Sequence, residues 1–467
     1  MVLLAAGLVL AACSSGSDAS AHTTLTTSST NSAVLTGAPT SLAPRAAAQR
    51  AAVAGYPLVV THRILQTFAG LTGTNVLLRV PRLTQIDTRL IVAPNRDTLY
   101  ALAVLDLRGE PQALTVPKID RYNTFQFIDA WMNTVANVGT RATHGQPGTW
   151  VVVPPGYKGS LPAGTHRIQS STNQLLILGR IRAVDDADAS AAFTASNGLK
   201  LEPLSTITGT APRKAPPAMA KPAGRPETTG ENGLGYFDEL GAALAVNPPL
   251  NSQTRSAIEG AADLGVGAGK IPSTSATATQ RRALLAGLRS ANAVAGSTEG
   301  ADLGGKVING WDINLHLGEP RAVVDLRRQA VIAKHYWGPN VAEESVYPVA
   351  RTASDHQPLT GAKDYLIHLP GDDLPPVKAF WSYTVYGPDS FFTVNPIGRY
   401  SISGDTPGLT RGADGSIDLY LSHQAPAGHE ANWLPTPAGP FRLVMRLYLP
   451  EAPVLDNTYD YPAVTVG

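Results

Sequence analysis

The segment Phe441-Arg442-Leu443-Val444-Met445-Arg446-Leu447-Tyr448-Leu449 constrains this chain more than any other. Side chains alternate between the two faces of a strand, so Phe441, Leu443, Met445, Leu447 and Leu449 share one face, with Arg442 and Arg446 on the other. The C-terminal part must therefore bury one face of a sheet. Further strand-like runs at residues 379–386 and 417–421, divided by Gly-Pro, Asn-Pro and Asp-Gly turns, read as an antiparallel sandwich or jelly roll rather than alternating β-α units.

Residues 47–182 also read mostly as strands and turns. Trp150-Val151-Val152-Val153 is a β-branched run stopped by Pro154-Pro155-Gly156, and residues 175–182 form another apolar run. A helix precedes them at 47–65, where Tyr56, Val59, Val60 and Ile64 recur at helical spacing and Pro57 marks a start or a kink. The middle is different in character. Leu284, Leu285, Leu288, Ala291 and Val294 form one stripe of a helix over 280–295, and Val323, Ala330, Ala333 and Trp337 one side of a second over 321–337. Between them and the first unit, the Pro- and Ala-rich stretch 206–230 reads as an exposed loop. The fold class expected is mainly β with a helical insert (α+β). Two β-rich units, 47–184 and 339–467, flank the insert at 185–338, and no internal repeat is evident.

The chain opens with an apolar run at residues 2–9 and then reads Leu10-Ala11-Ala12-Cys13-Ser14-Ser15-Gly16-Ser17. A short apolar run ending in small residues reads as a signal peptide, 1–12. The run is far below the roughly 20 residues of a spanning helix. No basic residue follows Met1, which places the true start upstream or makes export inefficient. Cys13, the only cysteine, stands where the lipobox of bacterial lipoproteins places its acylated thiol, and the segment resembles one. That resemblance implies a lipidated, secreted protein on the outer face of the cell membrane, or in the outer membrane of a two-membrane bacterium. Residues 13–46, rich in Ser, Thr, Ala and Gly, read as a flexible tether.

With Cys13 lipidated, no thiol remains for a disulfide, a nucleophile or a Cys-ligated zinc site. Lys plus Arg, 37, nearly equals Asp plus Glu, 36, without any charge block. That argues against nucleic acid as a partner, which needs a clustered basic face, and against polybasic lipid recognition. G-x-S-x-G, S-x-x-K, H-E-x-x-H and P-loop motifs are missing. Histidines such as His316, His335, His356, His368, His423 and His429 are scattered without helical i, i+4 pairing, so neither a metal nor a cofactor is expected. The glycine-rich run 265–269 reads as a turn.

Two polar and aromatic clusters carry the candidate chemistry. The first comprises Asn95-Arg96-Asp97-Thr98-Leu99-Tyr100, the block from Phe125 to Asn133, and Gly139-Thr140-Arg141. If Phe127, Asp129, Trp131 and Asn133 alternate on a strand, a carboxylate, an indole and an amide share a face suited to hydroxyl-rich ligands. Asp97 and Asp129 could act as acid and base if their carboxyls lay roughly 5–9.5 Å apart. The plainer alternative is that Asn95, Asp97 and Thr98 cap a turn, that Arg141 or Arg399 neutralises a buried Asp, and that Trp381, Tyr383 and Trp433 are core.

The second cluster holds Phe380-Trp381-Ser382-Tyr383-Thr384-Val385-Tyr386, Asn395-Pro396-Ile397-Gly398-Arg399-Tyr400-Ser401-Ile402 and Asn432-Trp433-Leu434-Pro435. With N-x-D-T-x-Y at Asn95 to Tyr100 and D-x-W-x-N at Asp129 to Asn133, these motifs resemble the paired bacterial domains of unknown function 1254 (N-terminal) and 1214 (C-terminal). The segment 312–320, after Asn309-Gly310-Trp311, departs from the usual Gly-Tyr-rich pattern. The resemblance implies two β units with a helical insert and supplies no activity.

Three functions follow as expectations. The first is a cell-envelope protein binding a small polar, glycan or lipid-headgroup ligand through Asn95, Asp97, Tyr100, Asp129, Trp131, Asn133, Arg141 and Arg399. The second is an extracytoplasmic hydrolase or lyase using Asp97 and Asp129. The third is a structural or adhesive envelope protein.

Overall fold

The computed structural model describes residues 42–87, 93–213, 233–297, 303, 305–318 and 325–467. Cys13, most of the expected tether and most of the Pro-rich stretch lie outside the described residues.

The alternating segment forms the strand Arg442–Pro450, an inner strand of a seven-stranded sheet. Val377–Tyr386 pairs along one edge, and Ser345–Val346 and Val349–Ala350 along the other. Leu443, Met445 and Leu447 point into a core shared with Ile367, Leu419 and Trp381. Opposite lies a four-stranded sheet of Trp433–Pro435, Ile417–Ser422, Tyr365–Leu369 and Thr465–Val466. Two details differ from expectation. Leu449 has φ +53, and this left-handed twist turns it away from the main core toward Tyr122, Phe380 and Tyr448. Ile417–Ser422 and Trp433–Pro435 pair in parallel, so the sandwich is mixed.

In the N-terminal unit a five-stranded sheet runs in the order Leu78–Arg79, Thr98–Asp106, Gln174–Arg182, Asn123–Asp129, Thr134–Gly139. A second sheet, Thr165–Gln169, Gly148–Val153, Gln112–Val116 and Lys200–Pro203, covers one face over Ala101, Phe125, Phe127, Leu114 and Trp150. Lys200–Pro203 lies within the stretch expected to be helical insert but completes this sandwich by pairing with Gln112–Val116.

Helices cover part of the other face of the five-stranded sheet, over Leu102, Val104, Leu176 and Leu178. The long helix Pro44–Thr72 begins inside the expected tether and carries Pro57 in its interior rather than at its start. Ala278–Ala295, opened by a Thr277/Gln280 capping box, buries Leu284, Leu288 and Ala291 against the long helix. Each buried leucine contributes roughly 1.5–3 kcal/mol. Gly287 allows this close crossing, because a Cβ there would sit 2.5 Å from Ala48 Cβ. Of the helix expected over 321–337, Leu326–His335 is helical and carries Ala330 and Ala333; Trp337 follows its end, and Val323 lies outside the described residues. The 265–269 run includes a left-handed Gly265 after a short 3-10 turn, and Gly269 donates its N–H to Gly241. Among the described residues no helix is long and apolar enough to cross a membrane.

The helices leave one end of this face uncovered. There Thr98, Tyr100, Arg180 and Arg182 meet the outer face of the C-terminal seven-stranded sheet, which presents Ser382, Thr384, Tyr386, Arg446 and Tyr448. The two β-rich units therefore join across a polar layer, which holds the site.

Candidate functional site

The layer is assembled from the turn before Thr98–Asp106. Asn95 Oδ1 accepts the backbone N–H groups of Asp97 (3.0 Å) and Thr98 (2.9 Å) and the Thr98 hydroxyl (3.0 Å). This Asx turn, the local role expected of these residues, aims Asp97 at the C-terminal unit. Its carboxylate accepts from Ser382 Oγ at 2.8 Å, Ser401 Oγ at 3.0 Å and the Tyr448 hydroxyl at 3.4 Å. Three separate sequence motifs thus meet at one buried carboxylate.

Two further ties flank it. Arg182 bonds Asp405 at 2.5 Å and Ser403 at 3.2 Å, and its guanidinium lies 3.9 Å from the centroid of the Phe380 ring. Glu344, fully buried, accepts from the Tyr122 hydroxyl at 2.9 Å and from Arg141 Nε at 2.8 Å.

Beside this layer is a cavity of about 130 Å³. Its floor is the outer face of the seven-stranded sheet, Tyr100 and Arg180 form a wall, and Tyr336 to Pro339, just after Leu326–His335, form the rim. Arg180, Arg351, Arg442 and Arg446 line it, and none of the lining residues is Asp or Glu.

Arg180 is the most informative of the four. It is only 8% exposed, its Nη1 donates to Gln126 Oε1 at 3.0 Å and Asn340 Oδ1 at 3.4 Å, and its Nη2 reaches the Gly338 carbonyl at 3.5 Å. All of these acceptors are neutral, and it has no carboxylate partner among the described residues. Burying an uncompensated cation costs several kcal/mol per ion, so such a group needs an anion. Nearby, the Tyr100 hydroxyl accepts from Asn95 Nδ2 at 2.9 Å and the Tyr347 hydroxyl from Asn340 Nδ2 at 2.9 Å. Neither hydroxyl hydrogen has an acceptor among the described residues. Burial pushes the Tyr100 hydroxyl up in pKa, which keeps it a donor. A guanidinium flanked by two phenolic donors is a receptor for a carboxylate or phosphate oxygen.

Arg446 is held by Thr384 Oγ1 at 2.8 Å, the Tyr386 hydroxyl at 2.6 Å and the Ala93 carbonyl at 3.0 Å. Burial pushes Tyr386 up to about 12. Toward the other end, Arg351 lies 3.6 Å from Asp312 and Arg442 donates to Ser390 Oγ at 2.8 Å. Burial, aided by the Arg442 charge, lowers Arg351 to about 10, and burial also lowers Arg442. Among the described residues, no group of three or more His, Cys, Asp or Glu could hold a metal ion.

The expected site residues divide into separate places. Asn95 and Tyr100 line the cavity, and Asp97 stands in the adjoining layer. Asp129 does not join them. Thr98 pairs with Arg182 and Asp129 with Leu175 on the same intervening strand, so seven residues separate the two ends, roughly 23 Å at about 3.3 Å per residue. Asp97 and Asp129 are thus too far apart for an acid/base pair of the glycosidase kind, which needs roughly 5–9.5 Å.

Nor do Asp129, Trp131 and Asn133 share a strand face. The strand ends at Asp129, and Met132, at φ +66, turns the chain back. Inside this turn the Asp129 carboxylate accepts from Trp131 N–H (2.9 Å), Asn133 N–H (2.8 Å), Asn133 Nδ2 (3.0 Å) and Ser171 Oγ (2.5 Å). The Trp131 indole donates to the Pro248 carbonyl at 3.1 Å among the helices. Arg141 pairs with Glu344 rather than an Asp. Arg399 donates instead to the carbonyls of Glu430, Ala431 and Trp433, pinning a loop. Trp381, Tyr383 and Trp433 are buried, the first two in the C-terminal core.

Sequence reasoning missed Arg180, Tyr347, Arg351 and Tyr448. Arg180 had a signal, a cation that interrupts the run 175–182 before its terminal Arg182. Arg442 and Arg446 were placed on the correct face, but what that face meets was not legible.

Residues 74–203 match the family model described as "Protein of unknown function (DUF1254)", and residues 344–452 the model described as "Protein of unknown function (DUF1214)". Among solved structures, the VPA0106 protein from Vibrio parahaemolyticus is similar, with a TM-score of 0.67 and 21% identity, covering 91% of this chain and 100% of that one. An uncharacterized protein from Burkholderia cenocepacia aligns at a TM-score of 0.46 and 13% identity, over 88% of this chain and 87% of that one. No curated protein matches the chain. The likeness to the Vibrio protein shows a common fold. Tyr100 and Arg180 come from the first matched segment, and Tyr347, Arg351, Arg442 and Arg446 from the second, so both build the cavity. In one polypeptide the chain thus carries a segment matching the DUF1254 model, residues 74–203, followed by one matching the DUF1214 model, residues 344–452.

Proposed function

We propose that this protein binds a small anionic ligand in the cavity between its two β-rich units, and does so outside the cytoplasm, held to a membrane by a lipid on Cys13. The observation that carries the binding reading is Arg180, a buried guanidinium without a carboxylate partner among the described residues, in a cavity lined by four arginines and no acid. An anion at Arg180 would accept from the guanidinium and from the Tyr100 and Tyr347 hydroxyls, which are charge-assisted or phenolic donors already fixed by Gln126, Asn95 and Asn340. This narrows a small polar ligand to one bearing a carboxylate or phosphate. The location rests on the Leu10-Ala11-Ala12-Cys13 run and on Cys13 being the only cysteine.

The binding reading is tested by thermal unfolding in phosphate, succinate or adipate against sodium chloride at matched ionic strength. A ligand of the native state raises Tm in a saturable way, by about 2.7 kcal/mol of stability at a hundred times its Kd. The rise is expected in the wild type and absent in Arg180→Met, whose folding is checked by circular dichroism. If no anion exceeds the chloride control, or Arg180→Met responds like the wild type, the reading is wrong.

A further inference from the structure

We infer that the anion held in the cavity is a single carboxylate on an uncharged hydrocarbon body, as in a medium-chain or aryl-substituted monocarboxylic acid, rather than a phosphate or a compound with two acidic groups. This rests on the anion-binding reading and adds the chemical class of the ligand to it.

The charge balance points to one negative charge. Three of the four guanidinium groups that line the cavity already have acidic neighbours. Arg351 lies 3.6 Å from Asp312. Burial lowers Arg442, and Tyr336 and the Asp389 charge act against it, while Ser390 Oγ accepts one of its N–H groups at 2.8 Å. Burial alone would lower Arg446 as well, but Tyr386, Tyr448 and the Asp97 carboxylate hold it above its ordinary value. Arg180 alone of the four has only neutral acceptors, and its Nε donates to nothing among the described residues. One buried cation is balanced by one anionic charge, and a second charge on the ligand would itself be buried without a partner. A phosphate ester, close to doubly charged at neutral pH, fits this balance less well than a carboxylate.

The donors are gathered at one end. Tyr100 and Arg180 are directly opposite each other on neighbouring strands. Asn340 ties Tyr347 to the same end, because its Oδ1 accepts from Arg180 at 3.4 Å and its Nδ2 donates to the Tyr347 hydroxyl at 2.9 Å. A guanidinium and two phenolic O–H groups supply the donors that the two oxygens of a carboxylate need.

Beside that end the cavity offers hydrocarbon. Val349 follows Tyr347 by two residues and stands opposite Val444 in register, and both valines line the floor with Leu317 near them. The Trp337 indole N–H turns away to Thr61 Oγ1 at 3.0 Å, and the Tyr386 hydroxyl donates to the Pro94 carbonyl at 2.5 Å, so both rings present carbon to the cavity. Water over such a surface is displaced favourably by an apolar group. Size agrees, since a cavity of about 130 Å³ holds roughly ten water-sized groups, and octanoate or phenylacetate consists of that many non-hydrogen atoms.

The test is calorimetric titration of the full chain with acetate, hexanoate, octanoate and phenylacetate, with adipate as the two-headed counterpart of hexanoate, and with phosphate. Ionic strength is held constant, and pH 8 keeps imidazoles neutral. Each buried methylene is worth roughly fourfold in affinity, so hexanoate is expected to bind at least tenfold more tightly than acetate. It is also expected to bind at least tenfold more tightly than adipate, and Arg180→Met to lose it. Val444→Thr, which sets a hydroxyl under the hydrocarbon body, is expected to reduce the preference for hexanoate over acetate by roughly fivefold. The wild-type series decides between the ligand classes by itself, so a variant that misfolds does not obscure the answer. Acetate binding as tightly as hexanoate, adipate binding as tightly as hexanoate or more so, or phosphate binding without any monocarboxylate overturns this inference and leaves the anion-binding reading standing. No binding of any of these anions, or hexanoate binding that survives in Arg180→Met, overturns both.

Discussion

Replacing Asp129 by alanine separates a structural carboxylate from a functional one, and its effect can be worked from the turn around it. Asp129 is fully buried and receives the N–H groups of Trp131 and Asn133 at 2.9 and 2.8 Å, the Asn133 amide at 3.0 Å and the Ser171 hydroxyl at 2.5 Å. Alanine removes every one of these acceptor positions. The Trp131 N–H is buried and would be left unsatisfied, at a cost of about 1–3 kcal/mol. Asn133 and Ser171 are half-buried and can turn to water, so their bonds are worth about 0.5–1.5 kcal/mol each. Against this, burial raises the Asp129 pKa, so removing the carboxyl also relieves a desolvation penalty. The net loss expected is about 2–4 kcal/mol, or roughly 6–12 °C in Tm for a cooperative unit of 150–250 residues at the middle of that range. Thermal and urea unfolding followed by circular dichroism measure it. Asp129→Asn retains an oxygen for the Trp131 and Asn133 N–H groups and should recover part of the loss. A variant as stable as the wild type refutes the hydrogen-bond accounting. Normal folding with lost anion binding would show instead that Asp129 belongs to the ligand site.

His62 is buried at 6% exposure with neither ring nitrogen hydrogen-bonded among the described residues, and burial with the Arg63 charge lowers its pKa to about 4. The unfolded chain, titrating near 6.5, takes up the proton first, so this stability is present above about pH 6.5 and is lost as pH falls toward 4. The loss is about 2 kcal/mol between pH 6.5 and 5. His62→Leu should remove this pH dependence, measured as ΔG of urea unfolding at pH 7 and 5, and an unchanged slope would sink the argument. Cys13→Ala should release the protein from the membrane fraction into the soluble extracytoplasmic fraction, as seen by immunoblotting. Retention on the membrane would show that another element anchors it.

Local pattern was enough to place several strands. Phe441 to Leu447 carries the period of two of a strand with one apolar face, whereas the continuous apolar runs at 150–153 and 175–182 are those of strands buried on both faces, and each is a strand. The helix over 280–295 was equally plain because its stripe repeats at 3.6. The D-x-W-x-N motif misled because alternation was assumed past Asp129, where Met132 at φ +66 reverses the chain. Lys200–Pro203 was missed because a strand of four residues in a mixed-composition stretch is specified by its partner rather than by its own pattern.

By itself, the sequence determined which face of Phe441 to Leu447 turns inward and the β-rich character of both units, and it offered the turn at Asn95 as one alternative, because these depend on neighbours a few positions away. Only the tertiary structure decided what the outward faces meet. Arg180 and Arg446 are 266 positions apart in the sequence, and they line one cavity because two sheets pack across a polar layer. Asp97 and Asp129, much closer in the sequence, lie at opposite ends of one sheet because an antiparallel strand runs between them. Side-chain direction is a local property of the backbone, whereas the juxtaposition of two outward faces depends on long-range packing that no local period encodes.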